Sequence, residues 1–106
     1  MKASNFDRHI LRLLKEQGSD FRKPHAIEFY VYFKKRTSAR KARFRFIKAG
    51  FHVELLNDSA GKRWICLSII EVLPRYKTIQ AVKRKLNALA KPLGGHCDAW
   101  GTQMER

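Results

Sequence analysis

Glu28, Glu54, Asp98, Cys66, Cys97, His52 and His96 are the side chains of this 106-residue chain that could make or break bonds if strands brought them together. General acid–base work needs two such groups converging on one proton, and no spacing here marks a pair. Cys97 follows His96, but adjacent strand residues project to opposite faces, so thiol and imidazole are poorly placed to share a proton. The cysteines and histidines lack the short paired spacings of a zinc site, and no glycine loop is built to cradle a phosphate. The sequence therefore predicts no catalytic residue, no metal and no cofactor. The chemistry it offers is binding.

Two sets of residues carry that binding chemistry. Residues 34–48 and 75–91 together hold fourteen Lys and Arg and no acid, which equals the entire formal net charge of +14. Like charges at i, i+4, such as Arg36/Arg40 and Lys41/Arg45, destabilise a helix by roughly a few tenths of a kcal/mol each. A polyanion would relieve that repulsion by exchanging its condensed counterions for protein cations. Lys35, Arg36, Arg40, Lys41, Lys48, Lys83, Arg84 and Lys91 are the candidate phosphate contacts. The second set is aromatic and acidic: Glu28, Tyr30, Tyr32, Trp64, Asp98 and Trp100, expected on one face of a sheet. Aromatics can stack unpaired bases. Here the acids would repel phosphate, and the segment 62–67 lacks the glycine-aromatic pattern of RNA-recognition modules, so a protein-binding surface fits better.

The elements that position these residues are legible from periodicity. Phe6, Ile10, Leu13 and Leu14 give a helix over residues 5–17, with Ser4 or Asn5 as its cap and Gly18 closing it. Its apolar stripe either packs on the domain or meets a partner. Residues 26–33 alternate as a strand, with Ile27, Phe29, Val31 and Phe33 on one face and Glu28, Tyr30 and Tyr32 on the other. A helix follows from Thr37 or Ser38 to Gly50, with Ala39, Ala42, Phe46 and Ala49 inward. Phe44 falls opposite that stripe, either under a neighbouring element or exposed to a partner. Strands over 51–56 and 63–72 flank a turn-rich loop, with Phe51, Val53 and Leu55, then Ile65, Leu67 and Ile69, expected in the core. A last helix over 77–91 carries Ile79, Val82, Leu86, Leu89 and Ala90 on one stripe, and Pro92 and Gly94-Gly95 stop it. In the final strand Cys97 and Ala99 are expected on one face, with His96, Asp98 and Trp100 on the other.

After the first helix the order is β-α-β-β-α-β. This predicts an α+β, ferredoxin-like sandwich in which both later helices cover one face of a four-stranded antiparallel sheet. The other sheet face is open or partly covered by the N-terminal helix. One domain spans 1–106, with the helix in 1–20 and the core in 26–102. No apolar run approaches the roughly 20 residues of a membrane helix, and Asn5, Asp7 and Arg8 interrupt any signal-peptide pattern, so the expected location is cytoplasmic, with no membrane partner. Two cysteines suit a reducing compartment as well as they suit one bridge.

The stretch Gly94-Gly95-His96-Cys97-Asp98-Ala99-Trp100-Gly101-Thr102 resembles the C-terminal signature of the ribonuclease E activity regulator B family. Gly18-Ser19-Asp20, Ile27-Glu28-Phe29, Gly50-Phe51 and Pro74 agree with it in order, so the similarity covers about residues 10–102. The resemblance implies a ferredoxin-like, non-catalytic protein that binds ribonuclease E, or another RNA-processing protein, and inhibits transcript cleavage. Glu28, Gly50, Asp98, Trp100 and Gly101 match the family's positions, as contacts or as fold determinants. Members of that family are strongly acidic, whereas this chain is strongly basic, which makes docking on an arginine-rich nuclease surface repulsive on net charge. The leading expectation is regulation of RNA turnover through a nuclease. The alternative is direct RNA binding through the basic helical face.

Overall fold

Strand β1 (His25–Phe33) buries every second residue, and it lies at the interior of a four-stranded antiparallel sheet of order β2-β3-β1-β4. The computed structural model describes residues 2–58 and 62–102, with all side chains except those of residues 2–6 and 98. Around β1 the chain runs α1 (Lys2–Glu16), α2 (Arg36–Lys48), β2 (His52–Asn57), β3 (Trp64–Val72), α3 (Tyr76–Ala90), a short 3-10 turn (Lys91–Leu93) and β4 (His96–Thr102). This is the expected α+β order. Residues 59–61 of the predicted turn lie outside the described residues. No helix among the described residues is long and apolar enough to cross a membrane.

The core lies between the sheet and two helices on one of its faces. Ile27, Phe29, Val31 and Phe33 of β1 are buried against Ala39, Ala42 and Phe46 of α2 and Ile79, Leu86 and Ala90 of α3. The alanines let the helices come close to the strands, and the phenylalanines fill the space between layers.

Two strands present faces other than those expected. In β3 the register pairs Phe29 with Ser68, Val31 with Cys66 and Phe33 with Trp64, so Trp64, Cys66 and Ser68 lie beneath the helices. Ile65, Leu67 and Ile69 lie on the opposite face and are only half-buried. The strand is apolar on both faces, so hydrophobicity could not choose between them; pairing with β1 did. Close approach of α2 then favours small residues, and the Cys66 thiol donates to the Ala39 carbonyl at 3.3 Å. In β4 the register shifts between the Tyr30–Ala99 and Val31–Cys97 pairs. This bulge puts one extra residue into β4, so Cys97 and Trp100 share the helix side while His96, Ala99 and Gly101 pair along the other. The displaced backbone of Cys97 is held by Asn87: its Nδ2 donates to the Cys97 carbonyl at 3.1 Å, and the Cys97 N–H donates to its Oδ1 at 2.8 Å.

Helix α1 begins upstream of Ser4 and Asn5, which are therefore within it instead of capping it. It packs on α3 and leaves the far side of the sheet uncovered among the described residues. Among its described side chains Asp7 and Leu11 are buried, Ile10 and Leu14 half-buried and Leu13 exposed, so the inward stripe is rotated from the one expected, and the side chain of Phe6 lies outside the described residues.

Burial pushes the Cys66 thiol up to about 12, with the positive field of Arg43 opposing only part of that rise. The thiol is thus protonated throughout the neutral range. In the folded protein Cys66 is expected to resist a thiol-specific reagent at pH 8 and to react fully in denaturant; rapid labelling of Cys66 in the native state, read by peptide mass mapping, would contradict this packing.

Candidate functional site

The uncovered sheet face is built in cross-strand rows. Leu56, Ile65, Tyr32 and His96 make one; Glu54, Leu67, Tyr30 and Ala99 the next; His52, Ile69, Glu28 and Gly101 the third. Ala26 and Glu71 pair beyond them. Half-buried aliphatic and tyrosyl side chains thus occupy the middle, with Glu28, Glu54 and Glu71 among them and no Lys or Arg at any of these strand positions. Tyr32 is held from the side: Arg63 lies over its ring at 4.6 Å, and the Tyr32 and His96 rings sit 5.7 Å apart. Of the predicted aromatic and acidic set, Glu28, Tyr30 and Tyr32 share this face, by alternation along β1.

Trp64 and Trp100 are not on this face, because the β3 register and the β4 bulge turn both to the helix side. Trp64 packs against the core, with the Arg36 guanidinium 5.5 Å from its ring. The side chain of Asp98 lies outside the described residues. His96 and Cys97 fall on opposite faces, which leaves imidazole and thiol apart as expected.

Trp100 has a definite partner that the sequence reading missed. Its indole Nε1 donates to Asp7 Oδ1 at 2.6 Å, Lys83 Nζ donates to Asp7 Oδ2 at 3.0 Å, and the Gln80 amide donates to the same oxygen. Asp7 and Lys83 are both buried, so this cluster fastens α1 to α3 and β4. Lys83 is consequently removed from the set of phosphate contacts. The signal was present in the sequence. Asp7 interrupts the stripe of Ile10, Leu11 and Leu14, Lys83 interrupts that of Ile79 and Leu86, and opposite charges on two inward stripes complement each other.

The basic residues of the other face remain accessible. Lys35, Arg36, Arg40, Lys41, Lys48, Arg84 and Lys91 are all exposed. Phe44 is 75% exposed and Ile47 47% exposed among them, so of its two expected positions Phe44 takes the exposed one. Among the described residues no cluster of His, Cys, Asp and Glu could hold a metal ion.

Comparison with known proteins places this arrangement. Residues 4–102 match the family described as Regulator of ribonuclease activity B. The chain belongs to that family. It is also 34% identical over 101 residues to the Regulator of ribonuclease activity B of Pseudoalteromonas atlantica, a match that spans 92% of this chain and 86% of that one. The stretch through which this chain resembles the regulator B family has evident structural duties here. Gly94 takes φ +78° to end the 3-10 turn, and Gly95 lies so close to the Phe33 ring that there is no room for a Cβ. Trp100 secures α1. Glu28, by contrast, stands on the uncovered face.

Proposed function

We propose that this protein is a non-catalytic regulator of RNA turnover that binds ribonuclease E and alters its cleavage of transcripts. The observation that carries this reading is the uncovered sheet face, where Tyr30, Tyr32, Ile65, Leu67 and Ile69 form an apolar centre among Glu28, Glu54 and Glu71. Apolar and aromatic anchors with polar groups around them are the composition of a protein interface. Net charge is the wrong quantity for judging this docking, because the acids of the strands collect on the face that would meet a basic, RNA-binding nuclease surface. In this reading Glu28, Tyr30 and Tyr32 touch the partner. Trp64 and Trp100 support the same sheet from behind. The family membership supports regulation of a ribonuclease, a role this reading places in the cytoplasm.

The test is cleavage of a labelled transcript by ribonuclease E with increasing regulator. Tyr30→Ala and Leu67→Ala should each keep the wild-type circular dichroism spectrum and raise the half-effective concentration by roughly 30-fold, corresponding to an interface anchor of about 2 kcal/mol. Glu28→Lys/Glu54→Lys should weaken the effect further at low salt. Folded variants that act like wild type would remove the sheet face from the mechanism.

A further inference from the structure

The sheet face leaves the most charged part of the molecule without a role. On α2, Ala39, Ala42 and Phe46 are buried against the sheet. With 3.6 residues per turn, Phe44 falls at the centre of the opposite, solvent side of the helix. Arg40 and Lys41 lie one turn before it, Ile47 and Lys48 one turn after, and positions three and four apart are surface neighbours. Lys41, Phe44, Arg45 and Lys48 line a shallow depression of about 410 Å³. Helix α2 carries no acid, and nothing among the described residues neutralises this side of it by an ion pair.

We infer that the outer face of α2 binds single-stranded RNA, with Phe44 as a platform for one unpaired base and Arg40, Lys41 and Lys48 on the flanking phosphates. An exposed ring surrounded by cations is the combination that single-strand binders use: phosphate contacts supply affinity and stacking accepts any base. Duplex RNA fits less well, because its bases are already stacked and a ring standing proud of the helix has no face to meet. A lipid surface fits less well too. Insertion needs a broad apolar stripe, whereas the apolar stripe of α2 is spent on the core and only Phe44 and Ile47 are exposed. The inference rests on the proposed function only for its choice of RNA over DNA. Together the two faces would let the regulator hold the nuclease on one side and its substrate on the other.

The experiment is fluorescence anisotropy of the intact protein with a labelled single-stranded oligoribonucleotide, a labelled RNA duplex and anionic phospholipid vesicles, without nuclease. Single-strand binding is expected to exceed duplex binding. Phe44→Ala should weaken it by about 5- to 150-fold, as expected for losing one stacked base, without changing its dependence on salt. Phe44→Trp should restore binding, with the new indole quenched by the strand. Arg40→Glu/Lys48→Glu should weaken binding and lower the log–log salt slope by roughly 0.7 for each phosphate contact removed. Wild-type affinity in Phe44→Ala, equal affinity for duplex, or binding to vesicles alone would each overturn the inference. Since no nuclease is present, those results would leave sheet-face regulation untouched, and failure of the cleavage test would leave this surface untouched.

Discussion

Asp7→Ala is expected to cost about 3–5 kcal/mol of stability, the range for removing one partner of a buried ion pair. The substitution leaves the Lys83 ammonium buried without its carboxylate and takes the acceptor from the Trp100 indole and the Gln80 amide. Each of those groups must then either find water or stay desolvated. The escape route is undocking of α1, so the loss is capped by the free energy of releasing that helix. Urea unfolding followed by tryptophan fluorescence measures this, with Trp100 reporting the dock and Trp64 the main core. Asp7→Leu combined with Lys83→Met should recover much of the lost stability, because a matched apolar pair leaves no orphaned charge. A single-mutant loss below about 1 kcal/mol would mean that the carboxylate is not holding the cluster together.

Gly95→Ala should be the other severe change. A Cβ at that position would lie 2.2 Å from Phe33 Cε2 and 2.6 Å from both Cδ2 and Cζ. Phe33 is fully packed in the core and cannot simply swing away. Overpacking of this kind costs about 3 kcal/mol where the neighbour is a buried ring. The double variant Gly95→Ala/Phe33→Leu tests the cause, since removing the ring should restore part of the loss even though Phe33→Leu alone is destabilising. Strict additivity of the two substitutions in chemical denaturation would show that the ring is not what excludes a side chain at residue 95.

The opposed faces bear on how a basic member of this family can regulate a nuclease. A formal charge of +14 describes the whole chain, but association depends on the field at the contacting surface. The strand positions of the uncovered face contribute three glutamates and no Lys or Arg. Most cations are concentrated on and around the helices behind it, while Arg63 reaches the uncovered face over the Tyr32 ring. Separate variants of Tyr30 and Phe44 therefore test the two proposed faces independently.

Much of this molecule followed from the sequence by itself. The order of helices and strands, the inward residues of β1, the cationic character of α2 and α3, and the family all follow from period, composition and short signatures, which are local properties of the chain. The facing of β3 was not local. Its two sides are nearly equally apolar, and only pairing with β1 set Cys66 and Ser68 inward and left Ile65 and Leu67 on the uncovered face. Trp100 could not be placed by alternation either, because the bulge in β4 adds a residue and reverses the faces beyond it. Lys83 looked like one more surface cation until α1 brought Asp7 against it across 76 positions of sequence. Register, bulge and ion pair depend on which distant segments meet, and that was decided by the packing of α1, α3 and the sheet.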